Sequence, residues 1–417
     1  MSRPRVAHTG FNERVSMAEA VIVATARSPI GRAFKGTLVD VRPDDLAARM
    51  VVAALSKVPQ LPHSEIEDLM LGCGLPGGEQ GFNMARVVSV LAGLPDTPGT
   101  TVNRYCASSL QTIRMAAHAI RAGEGDAFIA AGVECVSRFV KGSSDSLPDT
   151  ENPIFIEAKN RTDRRSRGSD VWERGEGLPD VYIAMGLTAE NVARLEGVSR
   201  AEQDEYALSA QQNTGRAIAR GFFEHDITPV TLANGVVVAK DDGPRAETTI
   251  EILQNLRPAF RPDGTVTAGN SCPLNDGAAA VIVMSADRAR ELGIKPLARI
   301  VSSAVSGLNP EIMGLGPVEA CRRAMARAGM SIGDIDLVEM NEAFAAQVVP
   351  SMRHLGIERD RLNVHGGAIA LGHPFGMTGA RIMTTLINGL VATDKTIGME
   401  SMCVGGGQGM AMIIERL

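Results

Sequence analysis

The chain has 417 residues, enough for two or three packed units around a large core. Hydrophobic residues make up 44% and charged residues 22%, an ordinary globular balance, and the formal net charge is only −6. The two signs are interspersed and no apolar run approaches the roughly 18 residues of a membrane span, so neither nucleic acid nor a membrane is indicated.

Residues 1–16 are polar, carry Arg3, Arg5 and Arg14, and lack a hydrophobic signal core. They read as a disordered extension before Met17, with a transit peptide as the competing reading. Apolar runs predict strands at 20–24 and 68–72, with a helix at 44–55 between them. A helix at 108–121 places Leu110, Ile113, Ala117 and Ile120 on one face and leads into a strand at 127–132. The middle, roughly 139–275, is rich in Gly, Pro, Asp and Arg. It holds its own helix at 202–220 and reads as an elaborated insertion, and its basic stretch 161–167 reads as a solvated loop. Strands at 298–302, 335–339, 396–402 and 410–415 then alternate with helices at 318–328, 343–355 and 378–392. Two strand–helix–strand halves flanking an insertion argue layered α/β architecture.

Six cysteines, Cys73, Cys106, Cys135, Cys272, Cys321 and Cys403, are too sparse for a disulfide scaffold and show no CxxC spacing. They fit a reducing compartment, and the expected location is cytoplasmic.

Chemistry concentrates in four motifs. Asn103-Arg104-Tyr105-Cys106 places a thiol just before a helix, where free N–H groups and the helix dipole favour thiolate. In isolation a small buried cysteine would look the same. Met340-Asn341-Glu342-Ala343-Phe344 puts a polar pair at a strand end opening a helix, where Asn341 is either an N-cap or the holder of an oxyanion-stabilising water. In the segment 366–376, His373 is clamped between Gly372 and Pro374, suited to taking a thiol proton or supporting an oxyanion. His365 lacks that clamp and reads as packing. Finally, Cys403 precedes Gly405-Gly406-Gly407, a loop whose backbone N–H groups are free to approach a carbonyl.

In order and spacing these motifs resemble the thiolase superfamily: NRxC, NEAFA, GGAIALGHPxGxTGAR and CxGGGxG. The resemblance runs from about Glu19 to Leu417. It implies a thiolase-like fold of two similar halves, an N-terminal domain of 17–138 with 276–292 and a C-terminal domain of 293–417, with 139–275 as a loop domain covering coenzyme A. It further implies reversible Claisen condensation and CoA-dependent thiolysis of 3-ketoacyl-CoA through a cysteine thioester, in fatty acid or related acyl-CoA metabolism. Cys106 would be the nucleophile, His373 its base and Cys403 the second acid/base. His373 with an Asn341-held water, and the N–H groups of Cys106 and Gly405, would form two oxyanion sites. Arg245 would contact the nucleotide, Phe260 and Ala268 would line the channel, and Met185 and Met313 would border the acyl pocket; methionines filling a core are the alternative for the last two. CoA is a substrate, no further cofactor is implied, and a homotetramer or homodimer is expected.

Three positions depart from the family pattern. Cys272 stands where many members carry a serine that contacts pantetheine, Ala184 where acetoacetyl-forming members often have His, and His365 where Asn is usual. A ketoacyl synthase-like enzyme shares the fold but pairs its cysteine with two histidines or His and Asn, so Cys403 argues against it. A degenerate carrier would have no reason to retain both thiols with His373 and Asn341.

Overall fold

A computed structural model describes residues 18–141, 149–168 and 171–417; the extension expected at 1–16 lies outside the described residues. The main strands are β1 (Ala20–Arg27), β2 (Asp68–Gly72), β3 (Gly99–Val102), β4 (Ala127–Cys135), β5 (Asn275–Ser285), β6 (Ala298–Gly307), β7 (Leu337–Met340), β8 (Ile397–Val404) and β9 (Gln408–Arg416). They form one mixed sheet in the order β7-β8-β9-β6-β1-β5-β4-β2-β3. Its two halves pair through Val21 opposite Arg299 and Ile22 opposite Ala298.

The main helices are α1 (Pro43–Leu55), α2 (Met84–Leu91), α3 (Ser108–Ala122), α4 (Ile156–Ser166), α5 (Met185–Leu195), α6 (Arg200–Ala219), α7 (Gly316–Ala328), α8 (Ala345–Leu355) and α9 (Thr378–Ala392). Strand alternation sends Ile22, Phe128, Val281 and Met402 to one face, where they pack on α3 and α9. Val21, Leu69, Ile129 and Ile282 point the other way, onto α1 and α2. In the second half Val338, Met399 and Ile413 meet α7 and α8. The chain is thus layered α/β, with α3 and α9 in the middle. Gly379 on α9 lies so close to Leu110 on α3 that a Cβ there would collide with its backbone.

Every residue of β1 and β5 is buried, so these strands have no polar face and no readable alternation. The sequence reading missed β5, although it found β1 and β4, which are buried just as completely. It also missed β3, only Gly99–Val102 long, at the sheet edge. Helix α6 starts before its expected residue 202, because Ser199 and Glu202 form a reciprocal capping box. The basic stretch expected as a solvated loop is instead largely helical: Arg161, on α4, donates to the carbonyls of Glu176 and Leu178 at 3.2 and 2.7 Å. Backbone carbonyls further along the chain supply the partners that hold the segment in place. Among the described residues no helix is long and apolar enough to cross a membrane.

Candidate active site

Cys106 occupies a tight turn between β3 and α3, and the turn is fixed by local side chains. Asn103 Oδ1 accepts from the Tyr105 N–H at 2.8 Å, and Ser108 Oγ accepts from the Arg104 N–H at 2.9 Å. Tyr105 takes φ +43°, a left-handed conformation costly for a tyrosine, directly before the cysteine. Arg104 then reaches across the molecule, donating from Nε to Gln111 at 3.0 Å and from Nη1 to Gln408 Oε1 at 2.8 Å. Gln408 in turn donates to the Gly405 carbonyl at 3.1 Å. The turn bearing Cys106 is thereby tied to the glycine loop after Cys403. That loop needs glycine: Gly406 and Gly407 sit at φ +73° and +80°, and a Cβ on Gly407 would collide with the Leu308 carbonyl.

The thiolate expectation for Cys106 is corrected. Burial pushes its thiol up to about 12, outweighing hydrogen bonding from the Gly405 N–H, while the Glu134 carboxylate raises it further. Cys106 also lies two residues before α3, in a separate helical turn at Tyr105–Ala107, rather than at the helix start itself. Cys403, buried at the end of β8, and Cys272 are likewise pushed up by burial, each with Cys106 as a contributing neighbour. Three thiols therefore share one region, and all favour the protonated form. A base is required.

His373 has the right state for that role. Burial draws its pKa down to about 3, so the ring is neutral at physiological pH. Thr378 Oγ1 lies 2.7 Å from Nδ1 and donates its own proton to the Pro374 carbonyl at 2.8 Å. The Thr378 oxygen must therefore accept, which places the ring proton on Nδ1 and leaves Nε2 unprotonated. Asn341 Nδ2 lies 3.2 Å from Nε2, and the backbone N–H of His373 donates to Asn275 Oδ1 at 2.9 Å. Asn341 Oδ1 is buried and has no protein partner among the described residues.

Two further carboxylates hold the loops together, and neither role was legible in the sequence. Glu134 accepts from the N–H groups of Gly74 and Gly376 at 2.8 and 2.9 Å and from Gln80 Nε2 at 2.5 Å. This joins the chain after β2 to the loop after His373. Glu342 accepts from Tyr206 Oη at 2.9 Å, Asn363 Nδ2 at 2.8 Å and the Ile369 N–H at 3.1 Å. It fixes the Asn341 segment against the residues leading to His373.

Two cavities adjoin the thiols. One, about 450 Å³, is lined by Arg32, Arg245, Phe260, Ala268 and Cys272, together with apolar residues such as Leu253 and Leu256. The other, about 250 Å³, has Cys106, Gly405 and Met185 in its wall, with Leu75, Val181, Ile183 and Phe375. Met313 lines neither; it is buried with Cys403, Ala343 and Phe344 in one apolar cluster against which Met185 and Cys272 pack. His365 stacks on Phe222, with ring centroids 3.8 Å apart, and Ala184 caps α5 through its backbone position alone.

Comparison with known proteins identifies the family. Residues 20–287 match the thiolase N-terminal domain and residues 294–416 the thiolase C-terminal domain. The chain belongs to the thiolase family. It is 44% identical to a 3-ketoacyl-CoA thiolase of Bacillus subtilis over 412 residues, covering 96% of this chain and 100% of the relative. It is also 44% identical to a 3-oxoadipyl-CoA/3-oxo-5,6-dehydrosuberyl-CoA thiolase of Escherichia coli, with the same coverage. The crystal structure of the Bacillus anthracis acetyl-CoA acetyltransferase superposes with a TM-score of 0.84 at 38% identity, covering 96% of this chain and 99% of that one. This thiolase is an acyltransferase.

Proposed function

We propose that Cys106 carries the acyl group and that His373 Nε2 takes its thiol proton. The observation that supports this most directly is the His373 tautomer, fixed by Thr378 so that the unprotonated nitrogen is the one beside Asn341. In thiolysis the Cys106 thiolate attacks the 3-keto carbonyl of the substrate. The bond between the α and keto carbons breaks, and Cys403 protonates the departing acetyl-CoA enolate. Cys403 then takes the proton of an incoming CoA thiol, which attacks the thioester on Cys106 and frees the shortened acyl-CoA. The N–H groups of Cys106 and Gly405 stabilise one oxyanion; His373, protonated at that stage, and a water on Asn341 stabilise the other.

CoA enters this cycle as substrate, and the residues named need no further cofactor. Arg245, with Phe260, Ala268 and Cys272, borders the CoA channel, while Met185 lines the acyl side and Met313 backs it. Cys272 takes the place of a hydroxyl and makes a weaker hydrogen bond to pantetheine. The chain divides into an N-terminal domain of 17–138 with 276–292, a loop domain of 139–275 and a C-terminal domain of 293–417. That division is favoured by β5, which pairs with β1 and β4 despite following the loop domain. We place the enzyme in cytoplasmic fatty acid β-oxidation or a related acyl-CoA route.

Assembly as a homodimer or homotetramer is supported by the edge strand β3 and by Phe82, Val87, Val90 and Leu91 exposed close by in sequence. Light scattering giving a single 44.0 kDa species would overturn it. The catalytic assignment is tested by incubating the enzyme with acetyl-CoA and mapping the adduct by mass. An acetyl group on Cys106 is expected; one on Cys403 would reverse the two roles.

A further inference from the structure

Overall identity does not select the acyl chain, because relatives at the same 44% identity are named for a 3-ketoacyl-CoA and for 3-oxoadipyl-CoA. The second name describes a chain that ends in a carboxylate, and charge is a property that a pocket wall must answer. The cavity beside Cys106 offers Leu75, Val181, Ile183, Met185 and Phe375, with two neutral phenols, Tyr105 and Tyr182. Among the described residues no Lys, Arg or His lines it.

Arginines of the neighbouring segments are already engaged. Arg161 and Arg165 face Glu311 at 3.3 and 3.6 Å, and Glu311 also accepts from Trp172 Nε1 at 2.7 Å. Arg104 stands behind the turn with Nε and Nη1 committed to Gln111 and Gln408, outside the cavity wall. The Tyr182 hydroxyl accepts from the Asn152 N–H at 3.2 Å. A phenol could donate one hydrogen bond to a carboxylate, but it supplies no opposite charge. The larger cavity is built otherwise, with Arg32 and Arg245 in its wall, so cationic side chains are placed on the CoA side and not on the acyl side.

We propose that this thiolase takes 3-ketoacyl-CoA with an uncharged, apolar acyl chain and discriminates against chains that end in a carboxylate. The inference rests on the reading of Cys106 as the acyl acceptor, which makes the cavity beside it the acyl pocket. Carrying a carboxylate into that pocket strips part of its hydration and returns no ion pair.

The test uses a matched six-carbon pair, 3-oxohexanoyl-CoA and 3-oxoadipyl-CoA, in thiolysis by the full-length enzyme. The neutral substrate is expected to show kcat/KM higher by at least about thirtyfold, a partial desolvation effect in a pocket that opens to solvent. Val181→Lys, which adds a cation to the wall, is expected to narrow that ratio at least about fivefold by raising the rate with 3-oxoadipyl-CoA. Equal rates, or a preference for 3-oxoadipyl-CoA, would overturn the proposed class while leaving the thiolase reading intact. Cleavage of neither substrate by folded enzyme would sink the underlying reading and this inference with it.

Discussion

On the proposed CoA side of the site, the cavity wall combines Arg32 and Arg245 with residues of the segment 243–273; on the proposed acyl side, the wall is apolar and includes the turn of Cys106 and the glycine loop after Cys403. The first needs only approximate placement, because a charged group attracts phosphate over several ångströms. The second must hold a sulfur, an imidazole and two N–H groups to hydrogen-bonding tolerance, and it is braced accordingly by Arg104, Glu134 and Glu342. Binding and chemistry are therefore separable, and substitutions on the two sides should fail in different ways.

The sharpest separation comes from Cys106→Ser. Loss of the nucleophile should lower kcat by about 10⁴-fold or more, while CoA binding measured by calorimetry stays within a few-fold. A comparable loss of CoA affinity would erase the distinction between the two sides. Next in size is Cys403→Ser, because a hydroxyl is a far weaker acid than a thiol. Exchange of deuterium into the methyl group of acetyl-CoA should fall by about 10²- to 10³-fold, with acyl-enzyme formation much less affected. Exchange at the wild-type rate would transfer the base role to His373.

The thiol of Cys106 provides a pH test. Its pKa is raised to about 12, so the protonated form dominates below that value and the thiolate fraction grows as pH rises. Alkylation by iodoacetamide in the free enzyme should therefore climb about tenfold per pH unit between pH 7 and 9. A plateau in that range would mean that the turn and the Gly405 N–H outweigh burial after all. His373, drawn down to about 3, stays neutral throughout and adds no inflection there.

Smaller effects are expected from the supporting residues. Thr378→Val removes the acceptor that fixes the His373 tautomer, and kcat should fall by about ten- to fiftyfold with KM little changed. Thr378→Ser should restore most of it, which a purely structural role for the methyl group would not allow. Arg245→Ala is mildest, because Arg245 is exposed: KM for acyl-CoA should rise by about three- to tenfold. With an acyl thioester of N-acetylcysteamine, which lacks the nucleotide, the same variant should match the wild type.

The sequence disclosed the residues proposed to perform chemistry much better than those that hold them. Cys106, Asn341, His373 and Cys403 lie in motifs whose glycines and prolines mark them locally. Glu134 could not be read in this way, because its partner Gly376 is 242 positions away and only the fold brings them together. Thr378 was visible merely as the start of a helix, although its hydroxyl sets the ring proton of His373. The helices α3 and α9 were legible to within a few residues, α3 from its amphipathic face and α9 although it is buried on nearly every side. Strand β5 was not, although β1 and β4 are buried just as completely and were read from their apolar runs. The state of the Cys106 thiol was misjudged: the helix start is written in the sequence, but the depth of burial that opposes it is not.

The position of β5 also constrains how the protein is made. It lies between β1 and β4, and residues 136–274 are synthesised before it. Until it leaves the ribosome, β1 and β4 each present an unsatisfied edge, and the apolar side chains that β5 covers remain open to water. The first half of the enzyme therefore cannot close its sheet as it emerges. It must wait, with its sticky edges shielded by chaperones or by the speed of translation, until about two thirds of the chain has been made.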